Sequence, residues 1–272
     1  MEVDARFTMS AAEVLQTKDF AQMSAAEIAA AKAAIARLRI PSEKMRLRRW
    51  RPDHHGKRID PRGTFRNSLR AGGAGIELAF RSHAERYAPV VAICDISGSM
   101  SDYTRIFLHF LHQLTDQRRR VHTFLFGTRL TNVTRALRQK DVDEALEECS
   151  ADVKDWSGGT RIGASIHAFN REWSRRVLGQ GAICVLFTDG LERDRLDQLE
   201  AEMERLHKSC RRLIWVNPLL RYSEFQAKAS GVRAMLPEVD ELRPIHNLWS
   251  RADLVAALAD DKGSAASDPR KW

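Results

Sequence analysis

A chain of 272 residues with 43% hydrophobic content is long enough for one α/β domain with a sizeable core and an appendage. No apolar run approaches the roughly 18 residues of a membrane span, and the amino terminus lacks the basic-then-apolar pattern of a signal peptide, so a cytoplasmic protein with no membrane partner is expected. The formal net charge of +8 is uneven: Arg37 to Arg70 holds twelve Lys and Arg against three acids, a net of +9, and the rest of the chain is close to neutral.

In chain order, Ser10-Ala11-Ala12-Glu13 and Ser24-Ala25-Ala26-Glu27 are two capping-box signatures, and the second predicts a helix to about Arg39, before Pro41. Residues 1–40 therefore read as a small helical appendage. Residues 41–86, rich in Arg, Pro and Gly without sustained periodicity, read as a basic irregular arm. Trp50 and Phe65 are too few to make a stacking platform among its arginines. His54 and His55 have no further ligand at metal spacing and read as surface.

The main domain, residues 87–262, opens on Val90 to Asp95, an almost wholly apolar run after Pro89 that reads as a strand buried on both faces. Ile106, Phe107, Phe110, Leu111 and Leu114 then form one helical stripe, and His109 and His112 on that helix read as packing or surface residues. Val121 to Phe126 is the next strand, Arg129 to Leu137 an edge pairing, and Asp141 to Cys149 a short acidic helix. Ile162, Ile166, Phe169, Trp173 and Val177 form a second apolar stripe. Ala182 to Thr188 is a strand, Leu196 to Cys210 a packed helix, Arg212 to Val216 a strand, and Ser250 to Leu258 a last helix. Residues 263–272 read as a flexible tail. Strands alternating with helices imply a doubly wound α/β sheet with helices on both faces. Cys94, Cys149, Cys184 and Cys210 show no metal spacing and read as inert thiols.

The turn after the first strand delivers Asp95, Ser97 and Ser99, one carboxylate and two hydroxyls, which suit a small hard cation such as Mg²⁺. Asp155 to Gly159 leads into Thr160, and the glycines let that hydroxyl approach a ligand. Asp189 follows the second apolar strand. A parallel sheet places its functional groups at the carboxyl ends of its strands, so Asp95 and Asp189 should meet on one edge. Each of the five has an ordinary reading as a helix cap or turn residue; together, in this order and on these elements, they favour a metal site.

These five residues resemble the metal-ion-dependent adhesion site of von Willebrand factor A domains. The chain is similar above all to the CoxE-like subgroup, through Asp95 to Met100, Phe126 to Thr131, Asp155 to Gly163 and Ile214 to Pro218. The resemblance covers about Arg48 to Leu258, and departs where Thr188 stands before the second aspartate in place of a common serine. It implies one antiparallel edge strand in an otherwise parallel sheet. It implies that Ser97, Ser99 and Thr160 are ligands of Mg²⁺ or Mn²⁺, with Asp95 and Asp189 orienting waters, and that an acidic side chain of a partner completes the shell. It further implies a non-enzymatic adaptor of a MoxR-type AAA+ ATPase, serving a client metalloenzyme subunit such as that of molybdenum-copper carbon monoxide dehydrogenase.

Two other classes fit the residues less well. A Mg²⁺-dependent phosphohydrolase of the haloacid dehalogenase type would want a second acid two residues after Asp95, where Ser97 stands. Nucleic-acid binding through the basic arm predicts weak, salt-dependent affinity and is less favoured than solvated charge.

Overall fold

Ser24 and Glu27 close the capping box expected of them: Ser24 N–H donates to Glu27 Oε2 at 2.7 Å, and Glu27 N–H donates to Ser24 Oγ at 3.4 Å. They start helix α1 (Ala25–Ala36), which buries Ala31 and Ile35, four residues apart on one face. The computed structural model describes residues 18–36, 44–72, 75–118, 120–152, 160–192, 196–221 and 229–247, with Leu254, Val255 and Leu258. The Ser10 capping box, the Asp155–Gly159 loop, most of the last predicted helix and the tail lie outside these residues. The chain divides into two compact units, Met1–Ser42 with Pro89–Trp272, and Glu43–Ala88.

The second unit corrects the expectation of an irregular arm. Strands β1 (Lys44–Pro52), β2 (Arg58–Ile59) and β3 (Phe80–Tyr87) form an antiparallel sheet in the order β1-β3-β2, and helix α2 (Pro61–Arg70) lies between β2 and β3 in sequence. The register of β1 against β3 shifts between Arg46 and Trp50, so the apolar positions Met45, Leu47 and Trp50 break the period of two that marks a strand in sequence. Trp50 packs on His83 with ring centroids 3.8 Å apart, and the Arg58 and Arg81 guanidinium groups lie 5.0 and 5.1 Å from its centroid. Arg58 and Arg81 thus flank the Trp50–His83 pair. None of the described residues of this unit is buried.

The larger unit is built on strands β4 (Val90–Asp95), β5 (Val121–Phe126), β6 (Leu130–Asn132), β7 (Ile183–Phe187), β8 (Arg212–Asn217) and β9 (Glu241–Pro244), in the order β6-β5-β4-β7-β8-β9. All neighbours pair in parallel except β6, which runs antiparallel to β5 at the edge. This is the expected mostly parallel sheet with one antiparallel edge strand. Among the described residues α1 is joined in this unit by α3 (Ser101–Gln117), α4 (Val142–Asp152), α5 (Ile162–Glu172), α6 (Ser174–Val177), α7 (Leu196–Ser209) and α8 (Ser230–Met235).

All six residues of β4 are buried, which places the strand in the middle of the sheet and fixes where its carboxyl end can open. Val91 and Ile93 join one core cluster with Ile162, Ile166 and Phe169 of α5 and Leu199, Met203 and Leu206 of α7. On the opposite face, Phe187 stacks on Phe107 of α3 with centroids 4.5 Å apart. Each such buried Leu, Ile or Phe contributes roughly 1.5–3 kcal/mol relative to exposure. Among the described residues, no helix is long and apolar enough to cross a membrane.

Candidate metal centre

β4 ends on Asp95, fully buried, and the chain turns at once because the Asp95 side chain takes over a backbone partner: Ser97 N–H donates to Asp95 Oδ1 at 2.8 Å. Thr104, one turn into α3, donates its hydroxyl to the Asp95 carbonyl oxygen at 2.6 Å and anchors helix to strand. Between them, a short 3₁₀ turn over Gly98–Met100 presents Ser99 outward while Met100 is buried.

The parallel pairing of β4 with β7 sets Cys94 opposite Phe187, so the residues following the two strands emerge side by side. Ser99 Oγ donates to Asp189 Oδ2 at 2.8 Å, and Ser97 Oγ lies 3.3 Å from Ser99 Oγ. Thr160 Oγ1 reaches Asp95 Oδ1 at 3.5 Å from the loop before α5. The five residues singled out in the sequence are thereby linked in one constellation. Ser97, Thr160, Asp95 and Asp189 are all buried, and Ser99 is exposed.

Three further residues complete the mount. Thr188 donates its hydroxyl to Asp95 Oδ2 at 2.8 Å and accepts from Gly190 N–H at 3.2 Å. Trp215 Nε1–H donates to the Thr188 carbonyl at 2.9 Å, and the buried Asn217 donates Nδ2–H to the Asp189 carbonyl at 3.1 Å. Both come from β8, paired in parallel beside β7. Asp189 Oδ1 also accepts from Leu191 N–H at 3.0 Å. Sequence reading missed the three roles. Thr188 registered only as a departure from a common serine, and Trp215 and Asn217 only as part of a shared motif.

Gly190 makes this loop possible. Its φ of +79° is a conformation that other residues rarely adopt, and a Cβ there would stand 2.7 Å from the Trp215 ring.

Burial is the main cause that pushes the Asp95 carboxyl up to about 6; the Ser97 N–H and the Thr188 hydroxyl pull the other way, and the Asp189 charge raises it further. Asp95 and Asp189 repel one another, and a bound cation would offset that repulsion. The donors fit a hard one: two carboxylates and three hydroxyls, all oxygen. Among the described residues no three or more His, Cys, Asp or Glu side chains gather as a metal-holding group, so softer or purely acidic sites are not found there.

Cys94, Cys149 and Cys184 are buried free thiols, and burial pushes the half-buried Cys210 up to about 12. His54 and His55 are exposed, as expected, while His112 bonds through Nε2 to the Gln139 carbonyl at 2.8 Å.

A mostly parallel α/β sheet with one antiparallel edge and an Asp-Ser-Ser-Thr-Asp oxygen cluster at its carboxyl edge defines the von Willebrand factor A class. The family model described as "VWA domain containing CoxE-like protein" matches residues 30–250, and the chain belongs to that family. No curated protein matches it in sequence. Among solved structures it is similar to an aerotolerance-related membrane protein of Bacteroides fragilis carrying multiple mutations to serines, at 16% identity over 68% of this chain and 100% of that one, TM-score 0.42. It is also similar to proximal thread matrix protein 1 of the mussel byssus, at 16% identity over 63% of this chain and 46% of that one, TM-score 0.44. The same mussel protein with a zinc-occupied MIDAS motif matches at 16% identity over 64% of this chain and 47% of its own, TM-score 0.42.

Proposed function

We propose that this protein is a cytoplasmic, metal-dependent adaptor that docks partner proteins through the carboxyl edge of its sheet, binding them without breaking bonds. The observation that supports this reading most is the convergence of Asp95, Ser97, Ser99, Thr160 and Asp189 from three separate loops, with Ser99 and Asp189 joined at 2.8 Å. Ser97, Ser99 and Thr160 would ligate Mg²⁺ or Mn²⁺ through their hydroxyls, and Asp95 and Asp189 would orient waters. A cation held mainly by neutral hydroxyls supplies an electrophilic open position to a partner's carboxylate. The chain's own residues set its place: Thr188 and the Ser97 N–H hold Asp95, and Asn217 holds the backbone of Asp189.

The CoxE-like membership supports a MoxR-type AAA+ ATPase as the first partner, and a metalloenzyme subunit as client, with molybdenum-copper carbon monoxide dehydrogenase as the example the resemblance suggests. The test is co-purification from the native cytoplasm with and without EDTA, beside a Ser97→Ala, Ser99→Ala double variant. Retention of an AAA+ ATPase in Mg²⁺ and its loss in both EDTA and the variant is expected. Partners that persist without metal would overturn the metal-dependent reading.

A further inference from the structure

Among the described residues of the larger unit, every large apolar side chain is buried or half-buried except one. Leu191 is 47% exposed, and it is the residue whose N–H binds the Asp189 carboxylate at 3.0 Å. An exposed leucine is ordinary when it stands anywhere on a surface. Here the exposed leucine adjoins the residue that closes the metal site. Its backbone position is fixed, because Gly190 before it is locked against Trp215 and Glu192 after it accepts the Gly163 N–H at 2.7 Å.

Two exposed arginines stand among the described residues of the same rim, where the Glu192 carboxylate is engaged by the Gly163 N–H. Arg161 follows Thr160 directly and is exposed; its N–H donates to the Gly127 carbonyl at 3.2 Å, which ties it to the turn that carries the exposed Arg129. Gly127 N–H in turn donates to the Arg129 carbonyl at 3.3 Å. One loop thus sets an apolar contact beside Asp189, and two others set guanidinium groups beyond Thr160. Arginine forks recognise carboxylates in pairs of hydrogen bonds, and desolvated apolar contacts next to them supply much of the energy of a small interface.

Resting on the adaptor reading above, we infer that the docking motif of the partner is an acidic segment with an apolar side chain next to its metal-directed carboxylate, so that Leu191 receives the apolar residue and Arg129 and Arg161 receive flanking acids. The occupant is an extended peptide segment of a protein. A nucleic acid would offer the arginines phosphates but would give Leu191 nothing apolar to pack on and the metal position no carboxylate.

The test uses the full chain and a fluorescein-labelled peptide carrying Glu-Leu-Asp-Asp between Gly-Ser flanks, followed by fluorescence anisotropy in Mg²⁺ and in EDTA. Three control peptides replace Glu by Gln, Leu by Ser, or both Asp by Asn. Binding in Mg²⁺ alone is expected, lost with the Gln peptide. Leu191→Ser should weaken it roughly tenfold and should be insensitive to the Leu-to-Ser change in the peptide, as a coupled pair requires. The Arg129→Glu, Arg161→Glu double variant should weaken the parent peptide by a similar factor and lose its discrimination against the Asn peptide. Calorimetric Mg²⁺ affinity, unchanged in these variants, verifies that the site is intact. Mg²⁺-dependent binding that ignores Leu191 and both arginines would overturn this inference and leave the adaptor reading standing. No Mg²⁺-dependent binding by any of the four peptides would overturn both.

Discussion

Ser99 donates its hydroxyl hydrogen to Asp189 Oδ2 across 2.8 Å, joining the turn after β4 to the end of β7 over a sequence separation of 90 residues. Neither residue is held by this contact alone. Ser99 rides on the turn that Asp95 folds through the Ser97 N–H, and Asp189 is gripped by Leu191 N–H and Asn217. The carboxyl edge is therefore organised before any ligand arrives, which is what a binding site with little reorganisation cost requires.

Ser99→Ala removes the crossing contact and one hydroxyl donor, while leaving the fold of both strands in place because Ser99 is exposed. Mg²⁺ affinity measured by calorimetry should fall at least about tenfold, the lower end of what a lost ligand-orienting group costs. Unchanged affinity would mean that the hydroxyl is not a ligand.

Asp95 gives the metal response a pH dependence. Burial raises its carboxyl to about 6 from an ordinary 3.8, so the metal-free folded state holds a proton more tightly than the unfolded chain does. The stability this contributes is full below the unfolded value and is lost as pH rises through about 6; at neutral pH the ionised buried group is a cost that a bound cation offsets. The thermal shift produced by Mg²⁺ should thus be largest above pH 7 and fade toward pH 5. A shift that stays constant over that range contradicts the role assigned to Asp95.

Thr188 is tested by two substitutions. Thr188→Val takes the hydroxyl from Asp95 Oδ2 and from Gly190 N–H, leaving a buried carboxylate short of a donor, and should cost about 1–3 kcal/mol by denaturant unfolding. Thr188→Ser keeps the hydroxyl and should retain most of the stability and the Mg²⁺ affinity. Equal losses in both variants would point to the methyl group, and so to packing.

The metal residues were legible because their signals are local. An apolar strand with no alternation, a proline before it and an Asp-Ser-Ser turn after it belong to one stretch of chain, and Thr160 stands after paired glycines. Thr188, Trp215 and Asn217 act across the β7–β8 pairing, and no local pattern announces a register between strands. Strand β9 escaped for a different reason: Glu241 and Arg243 are buried there, and charged residues read as surface until their partners are known. Arg243 Nη2 lies 2.6 Å from Glu241 Oε2, so each charge neutralises the other inside the sheet. The arm that read as irregular contains a strand whose period is broken by a shift of register at one point, between Arg46 and Trp50.

His109 governs a second pH effect, of opposite sign to that of Asp95. It is buried in α3, its Nε2 has no hydrogen-bond partner among the described residues, and burial lowers it to about 4; Lys32 of α1, with Arg105 and His112 of its own helix, also disfavours its protonation, and Asp143 of α4 opposes them. A folded value below the ordinary 6.5 contributes stability that is present above 6.5 and is lost as pH falls toward 4. The loss is on the order of 2–3 kcal/mol. Unfolding of wild type and His109→Leu between pH 7 and 4.5 isolates it, because Asp95 titrates equally in both. The difference between the two proteins should shift in favour of the variant on acidification, and a difference that does not vary with pH rules the effect out.

Gly231 tests whether the Asp189 loop is braced from behind. A Cβ at this position in α8 would stand 2.4 Å from the Gly190 carbonyl oxygen and 2.9 Å from the Glu192 Cβ. Real Cβ atoms do not approach backbone oxygen so closely, so Gly231→Ala must displace either α8 or the loop. Gly190 is itself confined, because a Cβ added there would stand 2.7 Å from the ring of Trp215, which is fully buried. The helix should therefore yield, at a cost of about 1–3 kcal/mol in unfolding free energy, and any residual shift of the loop would pass to Asp189. Stability should fall more clearly than Mg²⁺ affinity does. If affinity collapses while stability is unchanged, the loop has moved in place of the helix, and α8 is the rigid partner.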